Sequence, residues 1–574
     1  MKKLLVFLKD YRKESILGPL FKLLEASFEL FVPLVIASMI DVGIANGDRT
    51  YVIRMCLVLL LLCLVGFICA VTAQFFAARA AAGFAKKVKR ALFENIQKLS
   101  YSDMDSIGTS AMITRMTSDV NQVQQGVNLT IRLLLRSPFV VFGAMVMAFT
   151  INARMALIFL VTIFLLFLVV GLIMRWSIPG YGKIQGMLDK LLGLTRENHT
   201  GVRVIRAFGL EEKEKENFNR QNDALTSLQN HVGTVTALMN PATYAILNLA
   251  VAFLIYRGAI RVNSGDLTQG QVVALYNYMS QILVELIKFA NLIITVTKAI
   301  ASGNRIEEML ELKSSMENGA VTEFTETPDH IVFSHVFMRY AGDSEDSLED
   351  IDFTVKRGQR IGVIGGTGSG KTSLINLIPR FYDARQGQVL LDGRNIRDYD
   401  LEALRERIGI VPQKAVLFHG TIRDNIRWGR NDATDDEINR ALEIAQAKEI
   451  VEGKAGGLDH MVAQGGKNFS GGQKQRLTIA RALVRKPEIL ILDDSASALD
   501  YLTDKKLREA IAEMDNPPTT FIVSQRASSV LNCDRIIVLD DGKVVGIGTN
   551  DELLESCETY KEIYDSQYKK EGAV

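Results

Sequence analysis

The chain has 574 residues, too many for one core, and length alone predicts two to four domains. Its 66 Lys and Arg offset 65 Asp and Glu to a net charge of +1, with no concentrated basic stripe, so nothing argues for nucleic acid as a partner. At 23% charged residues the chain is too polar to be membrane protein throughout, yet a mean hydropathy of +0.13 is high for a soluble one: two unlike halves are being averaged.

In chain order, Met1 to Arg12 sets lysines around a very short apolar run without a cleavage site, which predicts an interfacial helix rather than a signal peptide. Met55–Ala73 and Leu157–Met174 are nearly charge-free and about long enough to cross a hydrocarbon core. Weaker candidates near 17–40, 127–150, 238–258 and 271–297 bring the expected spans to six; the alternative for these four is a set of buried helices. Cys56, Cys63 and Cys69 read as small hydrophobes in the second span, and with Cys533 and Cys557 they show neither zinc spacing nor a disulfide framework.

Charge placement orients the spans. Lys2, Lys3, Lys9, Arg12 and Lys13, then Lys86, Lys87, Lys89, Arg90 and Lys98, then Arg203, Arg206, Lys213 and Lys215 all fall on one side. The short links near 41–50, 151–154 and 259–270 carry only Arg49, Arg154 and Arg261. Both termini are therefore expected in the cytoplasm.

The two inside connections are polar and periodic. They predict helices continuing past the membrane to tight turns at Tyr101–Gly108, with Arg115 and Asp119 following, and at Glu197–Phe208; solvated linkers are the alternative. Glu25 and Glu29, near Lys22, and Glu285 with Lys288 are ionisable groups inside spans. They either line a polar cavity for substrate, neutralise one another between helices, or lie beyond the hydrocarbon.

From Lys313 to Asp329 the chain turns polar, placing the domain boundary near 322: a membrane domain over 1–321 and a nucleotide-binding domain over 322–574. Strand-like Ile361–Ile364 runs into Gly365-Gly366-Thr367-Gly368-Ser369-Gly370-Lys371-Thr372-Ser373 and then a helical pattern. This is G-x-x-x-x-G-K-[ST] in the strand–loop–helix context it requires. Glycines let the backbone wrap a phosphate chain, Lys371 adds charge for its outer phosphates, and Thr372 offers a hydroxyl to Mg²⁺. ATP and Mg²⁺ are thus the expected cofactors, with no other metal.

Ile489–Leu492 reads as a buried strand that sets Asp493 to hold Mg²⁺. Gln413 is placed to approach the metal or the attacking water. Tyr340 either stacks on adenine or is an ordinary buried tyrosine. Ser470, Gly471, Gly472 and Gln473 open a long helical run, a second helix start suited to phosphate.

Taken together, the 365–372 loop, Gln413, FSGGQ at 469–473, ILILD at 489–493 and SALD at 497–500 resemble ATP-binding cassette domains in order and spacing. With six spans ahead, the chain is similar to a half-transporter of the ABC exporter class. The fold implied is a six-helix membrane domain fused to a cytosolic α/β P-loop cassette. The resemblance also implies a second half-transporter chain, with each ATP between one chain's loop and the other's signature, FSGGQ. Asp500 would join that interface, and the two turns would be coupling helices.

Two positions depart from the family. Glutamate usually follows the Walker B aspartate, but here Asp494 does, one methylene shorter. The switch histidine is replaced by Gln525, and no histidine follows His460. A neutral amide hydrogen-bonds phosphate but carries no imidazolium charge. With the signature intact, these changes predict a heterodimer whose sites are unequal; a slow homodimer is the alternative. Multidrug-like export from a bacterial cytoplasmic membrane is the expected function. Lipid or peptide export, a regulatory ATP-binding membrane subunit and a soluble repair-type ATPase are its rivals.

Overall fold

The computed structural model describes residues 3–568, so Met1 and Lys2 of the N-terminal lysine group lie outside the described residues. It divides into two compact units, Met1–Gln97 with Ser110–Leu312, and Lys98–Thr109 with Lys313–Val574.

The first unit is all helix. A short 3₁₀ stretch, Lys3–Tyr11, leads into α1 (Arg12–Ser38), which ends in a π-turn at Met39–Ile44. Then come α2 (Arg49–Ile96), α4 (Thr109–Thr114), α5 (Val120–Leu133), α6 (Arg136–Ile151), α7 (Ala153–Thr200), α8 (Val202–Ala207), α9 (Glu211–Ala237), α10 (Met239–Asn263) and α11 (Gln269–Glu311); α3 (Tyr101–Ile107) belongs to the second unit. Merged across their kinks, they give, among the described residues, six helical stretches long and apolar enough to cross a membrane.

Helices α2 and α7 each run 48 residues, about 72 Å at 1.5 Å per residue, against a hydrocarbon core of roughly 30 Å. The excess length is the expected continuation past the bilayer. Small residues carry the close crossings: Ala73, Ala77, Ala80 and Ala81 of α2 are fully buried, and a Cβ on Gly126 of α5 would lie 2.2 Å from Ala299 of α11.

The second unit holds two main sheets. One is antiparallel, in the order β2 (Leu348–Lys356), β1 (Asp329–Met338), β4 (Gln386–Leu391), β5 (Arg394–Asn395). The other runs β12 (Lys543–Gly548), β11 (Arg535–Asp540), β3 (Arg360–Gly365), β10 (Thr519–Ser524), β9 (Ile489–Asp493), β6 (Ile408–Val411), parallel except for β12. A small ladder joins β7 (Gly420–Thr421) to β8 (Met461–Val462).

The six-stranded sheet is covered on both faces, which explains its near-continuous apolar strands. On β9, Ile489 and Ile491 enter one core with Phe333, Val363 and Phe521, while Leu490 and Leu492 enter the other with Leu477, Ile522 and Val538. Strand connections of this parallel kind place ligands at the carboxyl ends of the strands.

Candidate nucleotide site

β3 delivers the chain to Gly365, where a Cβ would lie 2.1 Å from the Leu539 carbonyl oxygen, so only glycine lets β3 turn beside β11. The loop returns at Gly370 in a left-handed conformation, φ +93°, and enters α12 (Lys371–Leu377). Lys371 folds its Nζ back over the loop, donating to the carbonyls of Gly365 (2.9 Å) and Gly366 and to Ser369 Oγ (3.3 Å). Burial lowers the Lys371 pKa, against the pull of Asp494 and Asp493.

Asp493 ends β9, 6% exposed, and accepts from Thr372 Oγ1 at 3.2 Å. Burial raises its pKa, and neighbouring Asp494 adds to the rise. A buried carboxylate beside a threonine hydroxyl and a desolvated lysine is a set of groups that a polyphosphate and a hard divalent cation would complement, so the residues fit Mg²⁺-ATP. Among the described residues, no cluster of three His, Cys, Asp or Glu side chains offers another metal site.

Asp494 takes a left-handed backbone, φ +45°, fixed by its amide donating to Val523 of β10 at 2.9 Å. Gln413 Nε2 reaches its carboxylate at 3.3 Å. Tyr340 bonds Ser373 Oγ through its hydroxyl at 2.9 Å and meets Tyr382 edge-on, 5.0 Å between ring centres. Lys371, Thr372, Ser373, Asp493, Asp494, Gln413 and Tyr340, with Thr367, Gly368, Gly370 and Gln525, line one cavity of about 380 Å³, within the range of small-molecule sites, whereas Gly365, Gly366 and Ser369 do not line it.

Other walls went unanticipated: Asp346 and Ser347 before β2, and Asp541 and Gly542 between β11 and β12. Only the left-handed turn signal of Asp541-Gly542 marked any of them in the sequence. Gln567 was likewise missed; it brackets the Gln525 loop, donating to the Gln525 carbonyl at 2.9 Å and accepting from the Ala527 amide at 2.8 Å.

Ser470, Gly471, Gly472, Gln473 and Asp500 lie outside the walls of this cavity. Ser470 caps the helix Gly471–Leu483 reciprocally with Gln473, at 3.3 and 3.1 Å. The Gly471 and Gly472 amides are left at a helix start, where no intrahelical carbonyl reaches them. Asp500 caps the next helix, accepting from the Thr503 amide at 2.9 Å and its hydroxyl at 2.7 Å.

Two models of protein families match in order: "ABC transporter transmembrane region" over residues 15–286 and "ABC transporter" over 348–497. The uncharacterized ABC transporter ATP-binding protein YfiB of Bacillus subtilis is 36% identical over 574 residues, covering all of both chains. The chain belongs to the ABC transporter family.

This ABC transporter is also 31% identical over 592 residues to YgaD of Bacillus subtilis, provisionally described as a multidrug export ATP-binding/permease protein, with 99% and 98% of the two chains covered. Its fold matches an ATP-bound bacterial Atm1-family ABC exporter, with a TM-score of 0.80, 23% identity and coverage of 97% and 98%. The chain is an ATP-driven, multi-pass membrane transporter, its membrane and ATPase domains fused in one chain.

The charges within the apolar helical stretches bond one another. Arg136, not anticipated, is 5% exposed and bonds Glu285 on one side and Glu29 at 2.6 Å on the other. Glu285, 3% exposed, also accepts from Ser137 at 3.0 Å and Lys288 at 2.8 Å, while Lys22 holds Glu25 at 2.5 Å. Three carboxylates meet three cations across α1, α6 and α11.

Of the two expected turns, Tyr101–Ile107 is helix α3, capped reciprocally by Ser100 and Asp103. Within its unit, Tyr101 packs 4.7 Å from the Phe381 ring and Asp105 accepts from the Tyr382 hydroxyl at 2.7 Å. The other contains α8; Val204 on it and Phe208 directly after it are 58% and 74% exposed.

Proposed function

We propose that this transporter moves amphipathic, multidrug-like small molecules out across a bacterial cytoplasmic membrane, as one half of a heterodimer with both termini in the cytoplasm. Its cassette is proposed to begin at residue 322, in the non-helical segment ahead of β1. Lys371 and the 365–373 loop hold the ATP phosphates, Tyr340 faces the adenine, and Thr372, Asp493 and Gln413 hold Mg²⁺. The bound cation shields phosphate charge; the rest of the chemistry falls to the side chains around it.

One observation carries the unequal-site reading: Asp494 and Gln525, the two departures from the family, line the same cavity, whereas the intact signature helix stands apart from it. Asp494 takes the position of the base that polarises water, and a one-methylene retreat of a base is worth about 100-fold in rate. Gln525 donates to phosphate without a full charge. Ser470 to Gln473 and Asp500 serve the partner's nucleotide, where hydrolysis is fast and resets the transporter. The partner carries glutamate and histidine at the positions of Asp494 and Gln525. Helices α3 and α8 transmit cassette closure to the membrane helices.

The test is Mg²⁺-ATP hydrolysis by this chain purified alone, beside fluorescent-nucleotide binding. Binding with turnover about 100-fold below that of the partnered complex is expected; brisk turnover alone would sink the unequal-site reading. Transport into vesicles by the partnered complex, scored for cationic dyes, lipids and peptides, checks the substrate class, and movement of lipid or peptide only would replace it.

A further inference from the structure

Helices α7 and α10 border a groove of about 650 Å³. Leu157, Val161 and Leu165 line it from α7, and Ile246, Leu249 and Phe253 from α10, each set recurring at helical spacing. At one end stand three arginines: Arg154 in the first turn of α7, and Arg257 and Arg261 in the last two turns of α10. Arg261 pairs with Asp266 at 2.6 Å. Among the described residues Arg154 and Arg257 have no carboxylate partner, and Arg257 only overlies the Phe253 ring at 5.6 Å.

The groove is thus apolar along its length and carries two unpaired positive charges at one end. Unpaired arginine at the edge of hydrocarbon is costly and calls for an anion. From Arg154 to Leu165 the stripe extends about 16 Å, close to half of a roughly 30 Å hydrocarbon core. That is the length of one leaflet's acyl chain, with the charged end at headgroup depth.

A second copy of this chain is a poor occupant. The acidic residues at the short-link ends of its spans are already engaged: Asp41 with Thr268 and the Gly270 amide, Asp48 with the Tyr51 amide, Asp266 with Arg261. Of these, Asp48 keeps a carboxylate oxygen without a bond among the described residues.

We infer that the α7–α10 groove is a binding site for an anionic phospholipid, its phosphodiester held by Arg154 and Arg257 and one acyl chain lying along the Leu157–Leu165 stripe. The site is independent of the exported substrate and of the inequality of the ATP sites.

The test uses the full-length protein in nanodiscs of phosphatidylcholine with phosphatidylglycerol, reading retained lipid by native mass spectrometry. Phosphatidylglycerol should be retained over phosphatidylcholine by roughly 10-fold or more. Arg154→Gln with Arg257→Gln should abolish that preference and the Lys pair should keep most of it. Val161→Trp, which leaves both arginines, should lose retention by blocking the chain's path, and it decides the matter should the glutamine pair not fold. Equal retention of both lipids, or unchanged retention in Val161→Trp, would overturn the inference. So would a disulfide from Val161→Cys or Leu249→Cys to a neighbouring protein, which would make the occupant a helix. None of these results touches the exporter reading, because bound lipid is measured rather than turnover.

Discussion

At the C-terminal ends of β3, β9 and β10, Lys371, Asp493 and Asp494 crowd into one cavity with few bonds between them. At the N-terminal ends of the same sheet, charges bond one another densely. Arg357 reaches Asp392 at 2.6 Å and Glu488 at 2.8 Å, and Arg407 reaches the same two carboxylates while lying 4.0 Å over the Phe324 ring. Asp392 is fully buried, and His330 beside it bonds Thr519 at 2.8 Å. One end leaves its charges desolvated for a ligand to complete. The other spends them on holding β3, β6, β9 and β10 in register, so a strained site can sit on a rigid frame.

Breaking the frame should have the largest effect. Arg407→Met leaves buried Asp392 one partner short and should lower cassette stability by about 3 kcal/mol, read by denaturant unfolding. Nucleotide affinity measured below the transition should be nearly unchanged. Lys371→Ala is the converse: fluorescent-nucleotide affinity should drop by about 100-fold as a charge-assisted phosphate contact is lost, with the unfolding midpoint unmoved or raised.

Repairing the cavity is a smaller step. Asp494→Glu with Gln525→His should raise Mg²⁺-ATP turnover of the isolated chain by roughly 10- to 100-fold, without altering affinity; no gain would place the slow step elsewhere. The smallest effect is acid sensitivity at the frame end. Burial, then repulsion from Arg357, lowers the His330 pKa to about 4, against the opposing pull of Asp392. Its folded pKa lies below its unfolded value of about 6.5, so the unfolded chain binds the proton more readily. The neutral histidine's contribution is therefore intact above pH 6.5 and declines as pH falls toward 4. Going from pH 7.5 to 5.5 should cost about 1 kcal/mol of cassette stability, and His330→Asn should flatten that dependence.

The contrast also explains what the sequence disclosed. The cavity end was readable because phosphate chemistry fixes residue types at short spacing: Gly365 to Thr372 are consecutive, and Asp493 closes an apolar strand. The spans were readable from apolar length, and the turn at Tyr101–Gly108 from its polar break. The frame end was not, because Arg357, Asp392, Arg407 and Glu488 are spread over more than a hundred residues and meet only once the strands pair. Arg136 was hidden for the same reason: its partner Glu285 is 149 positions away. The sequence pointed only to Lys288, one helical turn on and also bonded to Glu285, since only local spacing can be read without the fold.

That buried arginine constrains how the chain is made. An arginine at the centre of a span costs about 2.5–3.5 kcal/mol to insert from the translocon, and Arg136, the first residue of α6 within the Thr109–Ile151 stretch, is made before Glu285. Glu29, on α1, has already emerged. It can accompany Arg136 into the bilayer as a provisional counter-ion until α11 arrives and supplies the second carboxylate. The ion cluster thus imposes an order on biogenesis, with the first helix acting as an escort for the third span and the last helix completing the assembly.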